Sequence, residues 1–209
     1  MDVRERIIVE SGLLFGKYGI RSMTMDTLAE EMGISKRTIY ERFKDKDTLL
    51  LEVIKYHRIQ TAEVAHKMID ESDNAIEALF RIIKMTINQV EQMNPSFLND
   101  FKKYHTRIYK QLSDPGDIRD LSITLNLLET GVRQKIFRED IHFDIVNRTL
   151  HELFNFFSPN SNMSRAQFYH KDLFNHVIIP YFRGISTEKG VALLEECKSI
   201  FDQNRTRME

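Results

Sequence analysis

The chain has 209 residues, 42% hydrophobic and 29% charged, with a formal net charge of −1. That length holds one large or two small domains with a real core, and so near-neutral a balance announces no nucleic-acid partner by itself: residues 1–50 carry nine Lys/Arg against nine Asp/Glu. The single cysteine, Cys197, excludes an intramolecular disulfide framework, fits a reducing cytoplasm and reads as a small buried helix residue. The N-terminus breaks its apolar positions with Asp, Arg and Glu, which is no secretory signal. No apolar run approaches the ~20 residues of a membrane span, so a soluble, cytoplasmic chain without a membrane partner is expected. Eight Gly, four Pro and no alternating strand pattern predict an all-α fold.

Helical spacing begins at residue 3. Val3, Ile7, Ile8, Leu14, Phe15 and Tyr18 share one side of a helix over residues 3–18, and Gly19 ends it. Thr24 is placed to cap a second helix whose stripe is Met25, Leu28, Ala29 and Met32. Gly33 follows where a left-handed residue is needed. Ser35 then caps a short third helix with Ile39 and Phe43 inside and Arg37, Glu41 and Lys44 roughly opposite. Two helices, a Gly-containing turn and a polar outer face read as a helix-turn-helix whose second helix lies in the major groove. An ordinary helical hairpin would share much of that pattern. What favours DNA is placement. Lys36, Arg37, Arg42, Lys44 and Lys46 face Glu41 and Asp45 within residues 35–46, and Thr38 and Tyr40 are types that reach thymine methyls and phosphates.

Asp45 can cap a long fourth helix over residues 46–69. Lys46 in its first turn opposes the helix dipole, which a bound phosphate would rationalise; a solvated lysine is the plain alternative. Residues 71–74 break the chain. Further helices are expected to about residue 93, over 95–112, over 118–137 after a turn at 113–117, and over 143–157. Residues 158–164 are the most loop-like; one helix then runs to 182 and a last over 187–204. The two helices around that loop are apolar nearly all round, with Leu150, Phe154 and Phe157 on one and Tyr169, Leu173, Phe174, Val177 and Tyr181 on the other. A second subunit is a natural cover for them, and plain interior packing is the alternative.

The seven histidines lack the spacing of a zinc helix motif, and one cysteine cannot build a structural zinc site. No phosphate-binding glycine loop and no nucleophile elbow is present. No metal, cofactor or catalytic residue is expected, and the chain does not read as an enzyme. Phe80, Met85, Phe97, Phe101, Tyr104 and Phe137, with His105 and Asn126 as polar groups, are candidate lining for a small-molecule pocket; such stripes are more often plain core.

The strings TMDTLAEEMG (residues 24–33), GISKRTIYERF (33–43) and KDKDTLL (44–50) resemble the N-terminal DNA-binding domain of the tetracycline-repressor (TetR) family, over about residues 3–55. The resemblance implies a three-helix DNA-binding domain at 1–46 and a larger helical effector-binding and dimerisation domain at 47–209. It also implies a homodimeric repressor that binds palindromic double-stranded operator DNA and is released by a small-molecule effector, with the two apolar helices pairing in a four-helix interface. On this reading Thr24, Ser35, Lys36, Arg37, Thr38, Tyr40, Lys44 and Lys46 face DNA. Lys36 and Arg37 would meet bases or phosphates, Tyr40 and Lys46 phosphates, with Thr24 and Thr38 supporting. Many family members carry a small residue where Arg37 stands, and Glu41 departs too, as an acid that would accept from cytosine or hold Arg37 one turn away. Two alternatives stay open: a DNA binder governed by protein or nucleoid association without a small ligand, and a helical enzyme or interaction module with a fortuitous hairpin.

Overall fold

The computed structural model describes residues 1–94, 96–108, 121–157 and 170–205. Among the described residues there is no strand, only an isolated antiparallel bridge between Phe137 and Ser186. The elements are α1 (Val3–Tyr18), α2 (Met25–Glu31), α3 (Lys36–Arg42), α4 (Lys46–Asp70), α5 (Ala75–Gln92), α6 (Ser96–Tyr104), α7 (Leu121–Arg133) and α8 (Phe143–Phe154). A 3₁₀ turn, Asn155–Phe157, follows α8; α9 (His170–Leu173) leads through a π turn, Phe174–Ile178, into α10 (Ile179–Ile185), and α11 is Glu188–Arg205. The turn expected at 113–117 and the loop at 158–164 lie outside the described residues.

Four expected helices differ. The one over 95–112 breaks at His105 before a short helical stretch at 106–108, and the one over 143–157 tightens into the 3₁₀ turn after Phe154. The one predicted to reach residue 137 stops at Arg133, because Lys135 takes a left-handed backbone with φ 57°. The following residues pair with a distant segment instead: Arg138 N–H donates to Ile185 O at 2.9 Å and Thr187 N–H to Ile136 O at 2.9 Å. The helix expected to run unbroken to 182 contains the π turn, which ends just before Pro180. Proline has no N–H for the carbonyl four residues back, and a wider turn accommodates the missing bond.

The chain packs as two compact units. The first takes Met1–Glu63 and the described part of Glu91–Asp120; the second takes Val64–Val90 and the described part of Leu121–Glu209. By packing the chain divides within α4 and near the end of α5, whereas the sequence leads to the expectation of a boundary between residues 46 and 47.

The first unit closes around Phe15, Ile20, Leu28, Ile39, Phe43 and Leu49, all at most 1% exposed. α6 joins this core through Phe101 and also finishes α1. The Asn94 N–H donates to Gly16 O at 2.8 Å and its side-chain amide to Lys17 O at 3.1 Å, supplying donors to carbonyls that a helix end leaves open. The Asp100 carboxylate accepts the Arg21 N–H at 3.0 Å.

The second unit buries the inner face of α5 (Ile76, Leu79, Phe80, Ile83) with Leu128, Phe137, Ile178 and Phe182. Phe80 meets Phe174 edge to face, ring centres 5.4 Å apart. Gly190 lets α11 approach the 136–138 segment: a Cβ there would stand 2.1 Å from Ile136 O. Gly190→Ala is therefore expected to destabilise the protein by about 1–3 kcal/mol, the range for forcing atoms into a packed site. Chemical denaturation reads it, and an unchanged midpoint would show that this approach relaxes freely.

Candidate nucleic-acid interface

Each helix of the hairpin starts on a side-chain cap. Thr24 Oγ1 accepts the Thr27 N–H at 3.1 Å, Ser35 Oγ the Thr38 N–H at 3.0 Å, and Asp45 Oδ1 the Thr48 N–H at 2.8 Å. Gly33, at φ 63°, makes the left-handed turn between α2 and α3. The cost of a side chain at that φ is what calls for glycine here.

α3 turns Ile39 and Phe43 into the core at 0% and 1% exposure, which leaves Lys36, Arg37, Tyr40 and Glu41 outside; Tyr40 is 50% exposed. Thr24, Ser35 and Lys44 are exposed as well, and Thr38 and Lys46 are half-buried. All eight sequence-assigned residues thus lie in the first unit, on α3 or at the starts of α2, α3 and α4.

The charges are less free than the sequence suggests. Lys36 Nζ lies 2.6 Å from Asp26 Oδ2 and Arg37 Nε 2.7 Å from Glu41 Oε1. The Asp26 carboxylate accepts from the Lys36 ammonium and holds its pKa above the usual lysine value. Both pairs are exposed and screened by water, so a phosphate can compete for either cation. Among the described residues Arg42, Lys44 and Lys46 stand in no ion pair. Lys46 runs along the Phe15 ring, Nζ 6.0 Å from its centre; burial draws its pKa down, against the pull of Asp100 and Asp47.

The candidate effector residues divide between the two units. Phe97, Phe101, Tyr104 and His105 belong to the first unit, Phe80, Met85, Asn126 and Phe137 to the second. Phe80, Phe101 and Phe137 are core side chains, His105 holds Asp47 through Nδ1 at 2.7 Å, and Asn126 is exposed. The second unit contains a polar cluster that the sequence reading missed. Asn147 Nδ2 donates to Leu121 O at 2.8 Å, turning Oδ1 to the Thr124 hydroxyl, which donates to it at 2.5 Å. Thr124 Oγ1 then offers a lone pair to His151 Nε2 at 2.7 Å, so the network assigns the ring proton to Nε2. Thr124, Asn147 and His151 are 6%, 3% and 7% exposed. A lone Thr, Asn or His in amphipathic sequence carries no signal of such a meeting.

Of the residues assigned to a dimer contact, Leu150, Phe157, Leu173 and Phe174 are buried within their own unit. Phe154, Val177 and Tyr181 are partly buried, and Tyr169 lies outside the described residues. Ile145 on α8, not singled out from sequence, is 61% exposed. Cys197 is half-buried and its thiol is pushed up in pKa by burial, then by Glu77 and Glu196, which disfavours the thiolate. No helix of the described residues is long and apolar enough to cross a membrane.

Residues 8–53 match a family model described as bacterial regulatory proteins of the tetR family. A Bacillus subtilis (strain 168) protein described as an uncharacterized HTH-type transcriptional regulator, YvaF, is 27% identical over 187 residues, 88% of this chain and 96% of that one. A solved TetR-family regulator from Cytophaga hutchinsonii shares the fold with a TM-score of 0.65 at 14% identity, over 89% of this chain and 96% of that one. A structure described as the fatty acid degradation regulator FadR from Bacillus halodurans does so with a TM-score of 0.63 at 15% identity, over 86% and 92%.

The cap at Asp45 generates a pH test. Its carboxylate is held below the usual 3.8 first by the Thr48 N–H and then by the Thr48 hydroxyl. A depressed folded pKa gives stability that is present above the unfolded value and lost as pH falls through the folded one. Asp45→Ala is expected to cost about 0.5–2 kcal/mol near pH 7, with the gap to the unsubstituted protein closing below about pH 4. A pH-independent gap in urea melts would contradict the cap.

Proposed function

This chain is a transcriptional regulator of the TetR family, and we propose that it is a cytoplasmic, homodimeric repressor released from a palindromic operator by a small-molecule effector. The observation that carries the DNA reading is the exposed face of α3: a capped helix held by Ile39 and Phe43 that turns Lys36, Arg37, Tyr40 and Glu41 to solvent. With Arg42, Lys44 and Lys46, in no ion pair among the described residues, around it, that face has the shape and sign to enter a major groove. Lys36 and Arg37 take base or phosphate contacts, exchanging Asp26 and Glu41 for DNA acceptors. Tyr40 and Lys46 take phosphates, and Thr24, Ser35, Thr38 and Lys44 flank them.

Residues 1–46 provide the DNA contacts in this proposal, and residues 47–209 the effector and dimer functions. Exposed Ile145 with partly buried Phe154, Val177 and Tyr181 supports a partner contact on α8 and the α9–α10 run, since an isoleucine at 61% exposure gains from cover. Within the second unit, the Thr124–Asn147–His151 network is the polar feature that an effector would address. By reciprocity, an effector that weakens DNA binding must bind the DNA-bound form more weakly.

Selection of bound duplexes from a random library is expected to enrich an inverted repeat, with the protein sedimenting as a dimer; an asymmetric consensus or a monomer would overturn the palindromic reading. On the selected duplex, Lys46→Ala should lower the salt-dependence slope by about one. A slope that does not move removes Lys46 from the phosphate contacts.

A further inference from the structure

We propose that the end of α6 and the short stretch after it form a second DNA-backbone contact: Arg107, with Arg21 and Lys103, meets phosphates flanking the base pairs that α3 covers. This rests on the DNA-binding reading and extends it to a segment far from the helix-turn-helix in sequence.

Position comes first. α6 packs in the same unit as the hairpin, with Phe101 and Ile108 in its core at 2% and 4% exposure. The residue after α6, His105, holds Asp47 in the first turn of α4 at 2.7 Å. The short helical stretch 106–108 therefore starts beside the first turn of α4, four residues after the end of α3. Arg107 is exposed there, close enough that its charge acts on Asp45, the cap of α4.

The second observation is which charges are spoken for. Asp45 accepts from Thr48, Asp47 from His105, and Asp100 from the Arg21 N–H. Each carboxylate is engaged by a donor other than the local cations. Among the described residues Arg21, Lys103 and Arg107 stand in no ion pair. The Arg21 guanidinium lies 5.2 Å from the centre of the Tyr104 ring, and Lys103 Nζ 5.3 Å from the same ring. An aromatic face orders a cation without neutralising it, and the Arg21 guanidinium, which gives one N–H to the Tyr104 hydroxyl at 3.4 Å, keeps its others for an acceptor such as phosphate. An acidic protein surface would also suit such cations, but the charges of Arg107 and Lys44 both act on Asp45, at the start of α4 just after the recognition helix, which favours the DNA backbone.

The test compares two duplexes: the selected operator trimmed to its consensus, and the same site extended by about half a helical turn, ~5 base pairs, at each end. Fluorescence anisotropy across a salt series reads affinity and slope. The unsubstituted protein is expected to bind the long duplex several-fold tighter. Arg107→Gln, and the pair Arg21→Gln with Lys103→Gln, should lose that gain and lower the long-duplex slope by about one for each lost phosphate contact. Trimmed-duplex affinity should stay the same. Lys67→Gln in the second unit removes one charge elsewhere and should keep the flank gain; a loss there too would make the effect one of net charge and overturn the proposal. An Arg107→Gln protein with normal thermal melting, full flank gain and full slope also overturns it. Absence of salt-dependent binding by the unsubstituted protein to any duplex would instead fail the DNA reading itself.

Discussion

Docking of α3 through Ile39 and Phe43 is the constraint on which the rest depends. A helix of seven residues, Lys36–Arg42, has no independent stability in water, because the first turn orders several residues for a single hydrogen bond. Burying an isoleucine and a phenylalanine supplies about 1.5–3 kcal/mol each, which is the scale needed to hold one such turn. The exposed face of α3 follows from that docking: with those side chains inward, the helical repeat leaves Lys36, Arg37, Tyr40 and Glu41 no other place.

The supports of α3 come from both sequence neighbours and distant chain. Met25, Leu28 and Ala29 of α2 pack under it, and α1 contributes Ile7, Ile8 and Phe15. α6 and the residues that flank it then brace α1 and the α1–α2 turn through Asn94 and Asp100, and the start of α4 through His105. The hairpin is held by buried apolar contacts while Lys36 and Arg37 on its outer face sit in weak exposed pairs. That combination suits the proposed exchange of carboxylate partners for phosphates without rearrangement of the backbone.

The second unit has a different economy of polar groups. Its apolar side chains largely satisfy one another, and the two helices that read as apolar all round spend Leu150, Leu173 and Phe174 on their own core. What remains outward is a narrower stripe with Ile145 at its most exposed point. The buried Thr124–Asn147–His151 chain is fully directional: fixing the amide by Leu121 fixes the hydroxyl and, through it, the imidazole tautomer.

By itself the sequence determined the features that reach no more than a turn or two. The caps at Thr24, Ser35 and Asp45, the left-handed Gly33 and the inward Ile39 and Phe43 all follow from helix geometry, which places residues three and four apart in known relation. The Arg37–Glu41 pair was legible for the same reason. Tertiary structure alone decided that Asp26 would take Lys36, that Asn94 and Asp100 would serve α1 and the turn after it, and that the candidate effector residues would divide between two cores. It also decided where α7 stops, since the draw of residues 136–138 to 185–187 overrides local helix preference. Contacts between residues tens of positions apart depend on how whole elements pack, and a helical repeat shows which face of an element is apolar without naming what will cover it.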